Sequence, residues 1–67
     1  MIQISLEAAR VNAGLTQDAA AERLSVSKQT LINWEKGRSE PSISQARLIE
    51  STYGIPLDNI FLPSKSN

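Results

Sequence analysis

"LTQDAAAERLSVSKQTLINWEKG", residues 15–37, holds the pattern from which the fold follows. Thr16 is a good N-cap, its hydroxyl placed to accept from a backbone N–H one turn on. Gln17 to Leu24 then forms a helix body with Ala20, Ala21 and Leu24 facing inward. Three consecutive alanines at 19–21 raise helix propensity, and their small side chains let a second helix approach closely. Ser25–Val26–Ser27 is a tight connection. Ser27 caps a further helix running from Lys28 to about Lys36, and Gly37 stops it. Leu31 and Trp34, three apart, share the buried face of that helix. Lys28, Gln29, Ile32, Asn33 and Lys36 lie on the opposite face, with Thr30 adding a hydroxyl. A connection this short forces the two helices to cross steeply, which is helix-turn-helix geometry.

The rest of the chain fits around this pair. A first helix is expected from Ser5 to Ala13, where Leu6, Ala9, Arg10 and Ala13 recur at helical spacing and form one stripe. Gly14 suits the left-handed position that closes it, and Leu15 folds back onto its last turn. After the polar loop "RSEP", "SISQ" (42–45) matches a capping box in which Ser42 and Gln45 satisfy each other's ends. The helix that follows draws its apolar residues from Ile43, Ala46, Leu48, Ile49 and Tyr53, and Gly54 ends it. "IPLDNIF" is read as one or two more helical turns, with Ile55, Leu57, Ile60 and Phe61 over the core. Strict alternation of the half-buried-strand kind is absent, so the fold class is all-α. The expectation is one domain over 1–67, with its core at about 5–62 and a frayed tail at 63–67.

The 67 residues include no cysteine and no histidine, so disulfides and His- or Cys-based zinc sites are excluded. The sequence shows no charged-then-apolar leader and no apolar run of about 18 residues, so neither export nor membrane spanning is indicated, and a cytoplasmic protein with no membrane partner is expected. A catalytic site is hard to assemble from these residues. His and Cys are missing for acid–base or thiol work, the carboxylates are scattered, and there is no glycine-rich phosphate loop. The reading is therefore not an enzyme, with no cofactor, no metal and no small-molecule substrate.

Seven basic residues balance seven acidic ones, whereas a nucleic-acid binder usually carries a basic surplus. A binding claim must then rest on where the charges sit. Lys28, Lys36 and Arg38 fall within eleven residues, while Glu7, Asp18, Glu22, Glu50 and Asp58 lie in other segments. A major groove about 12 Å wide admits one helix. Gln and Asn can pair with adenine, Lys can donate to guanine, and Ile32 can touch a thymine methyl. Taken singly, the lysines and amides are more often plain solvated surface, and Ile32 is more often a core-edge residue or a subunit contact. Their joint placement directly after a tight turn favours recognition of double-stranded DNA. The rival is a protein-interaction module that docks the same helical surface, with Ile32 in the contact.

"LTQDAAAERLSVSKQTLINWEKGRSEPS", with "YGIPLDNIF" after it, resembles the phage repressor and Cro type (XRE-like) of helix-turn-helix domain over about residues 5–62. The specific parts are T-Q opening the second helix, Ala21 at its close-packing position, Leu24, V-S before the third helix, the W-E-x-G closure and the G-x-x-L-D-x-x-F ending. The resemblance implies a compact, lambda-repressor-like bundle of five helices. Such a protein binds a pseudo-palindromic operator, as a homodimer at least on DNA, and regulates or represses transcription. An antitoxin that represses its own operon and a restriction–modification controller belong to the same class. Carried onto this chain, the resemblance places Gln17 on a phosphate. It places Lys28, Gln29 and Asn33, with Ile32 among them, at base edges, and Thr30, Lys36 and Arg38 at phosphates. Ala21, Leu24, Leu31 and Trp34 form the core of the motif. Arg10 and Glu35 occupy positions that pair as ions in many members, which accounts for an arginine on an apolar stripe. Three departures stand out. Ser25 fills a turn position usually held by Gly, Ala19 stands where many members have an acidic residue, and Glu40 sits where a basic one would aid DNA contact.

Overall fold

A computed structural model describes residues 3–62. The expected frayed tail at 63–67 lies outside the described residues, as does the side chain of Phe61. The described elements are β1 (Ile4–Ser5), α1 (Leu6–Asn12), α2 (Gln17–Arg23), α3 (Lys28–Lys36), α4 (Ile43–Tyr53), a 3-10 turn (Leu57–Asn59) and β2 (Ile60–Phe61).

All four α-helices begin the same way. The hydroxyls of Ser5, Thr16, Ser27 and Ser42 accept from the backbone N–H of Ala8, Ala19, Thr30 and Gln45. Each bond satisfies a donor that the first turn would leave unpaired. At Ser42 the box is reciprocal, because Gln45 Oε1 accepts from the Ser42 N–H at 2.8 Å.

The four helices also end alike. One residue takes a left-handed conformation, and the N–H after it bonds back to a carbonyl five residues earlier. These bonds are Leu15 to Arg10, Val26 to Ala21, Arg38 to Asn33 and Ile55 to Glu50, at 3.2, 3.0, 2.9 and 3.3 Å. Three of the left-handed residues are glycines, but in the α2–α3 turn it is Ser25, with φ 58°. A Cβ is disfavoured there by roughly 1 kcal/mol. The α2–α3 turn thus has the same backbone course as its neighbours, with a side chain that opposes it.

The core is the interior of the helical layer. Leu6 and Ala9 of α1, Ala20 and Ala21 of α2, Leu24, and Leu31 and Trp34 of α3 are buried with Ile49, Tyr53 and Ile60. Ala20 is fully covered, and α2 packs directly on α3. A bulkier side chain at Ala20 or Ala21 would force the two helices apart.

Two expectations need correction. Among the described residues there are four α-helices, not five. "IPLDNIF" forms a three-residue 3-10 turn and then a short strand, with Ile60 and Phe61 paired in parallel to Ile4 and Ser5. Pro56 disfavours helix at Ile55 and has no N–H of its own. The β-branched Ile60 finds an extended partner in Ile4. The Glu50 carboxylate accepts from the Leu57 N–H at 3.0 Å, tying this last turn to α4. The second correction concerns α4. Ile49 and Tyr53 are buried, but Ile43 is 78% and Leu48 39% exposed. Ile43 is the first residue of α4 and stands clear of the core, so only the Ile49–Tyr53 stripe reaches inside.

Candidate nucleic-acid interface

The outer surface of α3 is set by what its inner surface buries. Leu31 is fully covered and Trp34 is 3% exposed, so this pair fixes the rotation of the helix about its axis. At 100° per residue, Lys28, Gln29, Ile32, Asn33 and Lys36 are turned outward. Lys28, Gln29 and Lys36 are exposed, and Thr30, Ile32 and Asn33 are half-buried. Arg38, just beyond the helix, is also exposed. Ala21 and Leu24 lie in the core beneath, between α2 and α3.

The rotation is held by a second device. Arg10 of α1 is 7% exposed, and its Nε donates to Glu35 Oε2 of α3 at 2.7 Å. Although Glu35 as a residue is half-buried, its side chain is only 3% exposed, so the charge itself is inside. Arg10 Nη1 also donates to the Leu15 carbonyl at 2.9 Å. Glu7, 3.9 Å from Arg10 and largely exposed, adds little. Tyr53 lies in the same electrostatic neighbourhood. Its pKa is pushed up to about 12, first by burial and then by the Glu35 carboxylate, with Arg10 pulling the other way. The Tyr53 hydroxyl is buried and makes no hydrogen bond to the described residues.

Several polar residues that the resemblance assigns to DNA are engaged with other side chains of the protein. Gln17 Nε2 donates to Glu35 Oε1 at 3.2 Å, so its amide lies against the ion pair with one N–H left over. Thr30 Oγ1 accepts from Ser27 Oγ at 2.9 Å. Lys28 Nζ is 3.6 Å from Asp18 Oδ1, and both groups are well exposed. Gln29 Nε2 donates to Asn33 Oδ1 at 3.0 Å. Lys36 ends the same helix, and Arg38 follows just beyond its Gly37 cap. Sequence reasoning left out Asp18, whose position in the first turn of α2 brings it to Lys28 only once the helices cross. It also missed the Gln29–Asn33 bond, although spacing of i and i+4 was a usable signal.

Among the described residues no helix is long and apolar enough to cross a membrane. The model of the helix-turn-helix family matches residues 6–60. An uncharacterized HTH-type transcriptional regulator of Methanocaldococcus jannaschii is 42% identical over 48 residues, 72% of this chain and 73% of that protein. An uncharacterized HTH-type transcriptional regulator of Methanothermobacter thermautotrophicus is 43% identical over 54 residues, 79% of this chain and 78% of that protein. The cryptic phage CTXphi transcriptional repressor of Vibrio cholerae is 29% identical over 58 residues, covering 87% of this chain and 52% of that protein. No solved structure matches.

Proposed function

The chain belongs to the helix-turn-helix family, and on that footing we propose that it occupies an operator by laying α3 in the major groove. It is a DNA-binding regulator of transcription, as its relatives are described to be. We read it as a repressor, acting by occupancy with no chemistry of its own.

The observation that carries the groove reading is the two-sidedness of α3. Leu31, Trp34 and the Glu35 carboxylate are held inside, while Lys28, Gln29, Asn33 and Lys36 are presented on one outward face. In this reading Gln29 and Asn33 address base edges, with Lys28 and Ile32 beside them. Thr30, Lys36, Arg38 and the remaining N–H of Gln17 address phosphates. A second copy of the chain on the neighbouring half-site, about one turn away, would double the contacts and make the operator a pseudo-palindrome.

Equal numbers of acidic and basic residues favour one rival, a protein-interaction module. Salt separates the two. Each phosphate contact releases counterions, so log K falls with log salt by roughly 0.9 per contact. Selection of bound duplexes from a random DNA pool is the direct test. Enrichment of a motif, with affinity that falls steeply with salt, supports the operator reading. Retention of no motif would sink it, and enrichment of a single unpaired half-site would sink the dimer.

A further inference from the structure

We propose that Gln29 and Asn33 read two adjacent base pairs as one interlocked unit, adenine facing Gln29 and a base with a major-groove acceptor, any but cytosine, facing Asn33. This rests on the reading that α3 enters the major groove. The two residues are one turn apart on the outward face, and Gln29 Nε2 donates to Asn33 Oδ1 at 3.0 Å. That bond settles what each amide has left to offer.

A primary amide starts with two N–H donors and an oxygen with two lone pairs. Gln29 has committed one N–H. It keeps its oxygen and a single N–H, side by side. Adenine shows a complementary pair in the major groove, the N6–H donor and the N7 acceptor. Guanine shows two acceptors there, O6 and N7. The interlocked Gln29 cannot turn both N–H groups toward them, and its oxygen would face an acceptor. Thymine and cytosine each offer one hydrogen-bonding group on that edge. Adenine is therefore the base that satisfies Gln29 in full.

Asn33 has committed one lone pair of its oxygen and keeps both N–H donors of its Nδ2. Guanine O6 and N7, thymine O4 or adenine N7 can accept from it, whereas cytosine offers only its N4 donor. The amide groups are 3.0 Å apart, close to the rise of about 3.4 Å between stacked base pairs. Two amides so close reach neighbouring steps and not distant ones. Asn33 is thus both a reader and the group that orients Gln29.

The experiment is selection from a random duplex pool with the wild-type chain and three variants, each checked for wild-type helicity by circular dichroism. The wild-type motif should hold adenine, preferred by roughly 10-fold, next to a position that excludes cytosine. Asn33→Asp keeps an oxygen to accept from Gln29 but removes the outward donors. It should retain adenine while its neighbour switches to cytosine, whose N4 donates to a carboxylate. Asn33→Ala should weaken the adenine preference as well as its neighbour's, although Gln29 is intact. Gln29→Ala should lose adenine and keep the neighbour. A wild-type motif without this step, an unchanged adenine preference in Asn33→Ala, or an unswitched neighbour in Asn33→Asp overturns the coupled reading alone. A wild-type chain that enriches no motif overturns the operator reading and this inference with it.

Discussion

Replacing Arg10 by Met should be among the most damaging single changes in the molecule, and a second change should repair much of the damage. The Glu35 side chain is 3% exposed and holds two partners, Arg10 at 2.7 Å and Gln17 at 3.2 Å. Arg10→Met removes the charged partner and leaves the carboxylate inside with one neutral hydrogen bond. Breaking a buried pair from one side costs about 3–5 kcal/mol. A chain of 67 residues is expected to have only about 3–10 kcal/mol of total stability. The variant should therefore lose from about a third to all of its stability. Arg10→Met combined with Glu35→Leu removes both charges and keeps similar volume. What remains is the Gln17 amide without its Glu35 acceptor, and the Leu15 carbonyl, deprived of its 2.9 Å donor at about 1–3 kcal/mol. The double variant should accordingly lie above Arg10→Met alone by about 2 kcal/mol or more. Urea unfolding followed by fluorescence of Trp34, the single tryptophan and 3% exposed, gives all the values needed for the cycle. An Arg10→Met loss under about 1 kcal/mol, or a double variant as unstable as the sum of the singles, would refute the argument that the pair is mutually compensating.

Four further outcomes are expected. Ser25→Gly should raise stability by roughly 1 kcal/mol in the same urea assay, since φ is 58° there; a lower midpoint contradicts strain at that residue. Because Tyr53 is raised from 10.0 to about 12, the folded state holds its proton where the unfolded chain has lost it. Its contribution to stability is complete below pH 10 and is lost as pH rises toward 12. Alkaline titration of Tyr53→Phe should lack this component, and with no hydrogen bond to lose the variant should match or exceed wild-type stability at about pH 7. Lys36→Ala should weaken binding to all duplexes about equally and lower the salt slope by about 1, and a change confined to one sequence would assign it to a base. Asp18→Asn should release Lys28 from its exposed partner and tighten binding to unrelated DNA, with stability changed by less than about 1 kcal/mol; unchanged affinity would place Lys28 away from the duplex.

Where the helices start and stop is written in the amino-acid order. Ser27, Ser42, Gln45, Gly37 and Gly54 act through bonds that close within a few residues, so a local reading of them carries to the folded chain. The inward alanines of α2 and the Leu31–Trp34 pair were legible for the same reason, because helical spacing alone puts them on one face. The outward polar face of α3, and with it most of the candidate interface, followed as the complement. The pairing of Arg10 with Glu35 came from the resemblance, since nothing local joins residues 25 apart.

Other features depend on what the fold brings together. Ile43, Leu48 and Ile49 are equally apolar, and which of them is buried depends on where α1 lies against α4. "IPLDNIF" carries enough apolar residues for a helical turn. The arrival of Ile4 and Ser5 alongside offers its last residues a strand partner that no local pattern could announce. Asp18 reaches Lys28 because two helices cross. The Gln29–Asn33 bond is a choice among rotamers that spacing permits but does not impose. Local backbone chemistry writes the elements, and the side chains that would read a base are oriented by neighbours the chain brings together only when folded.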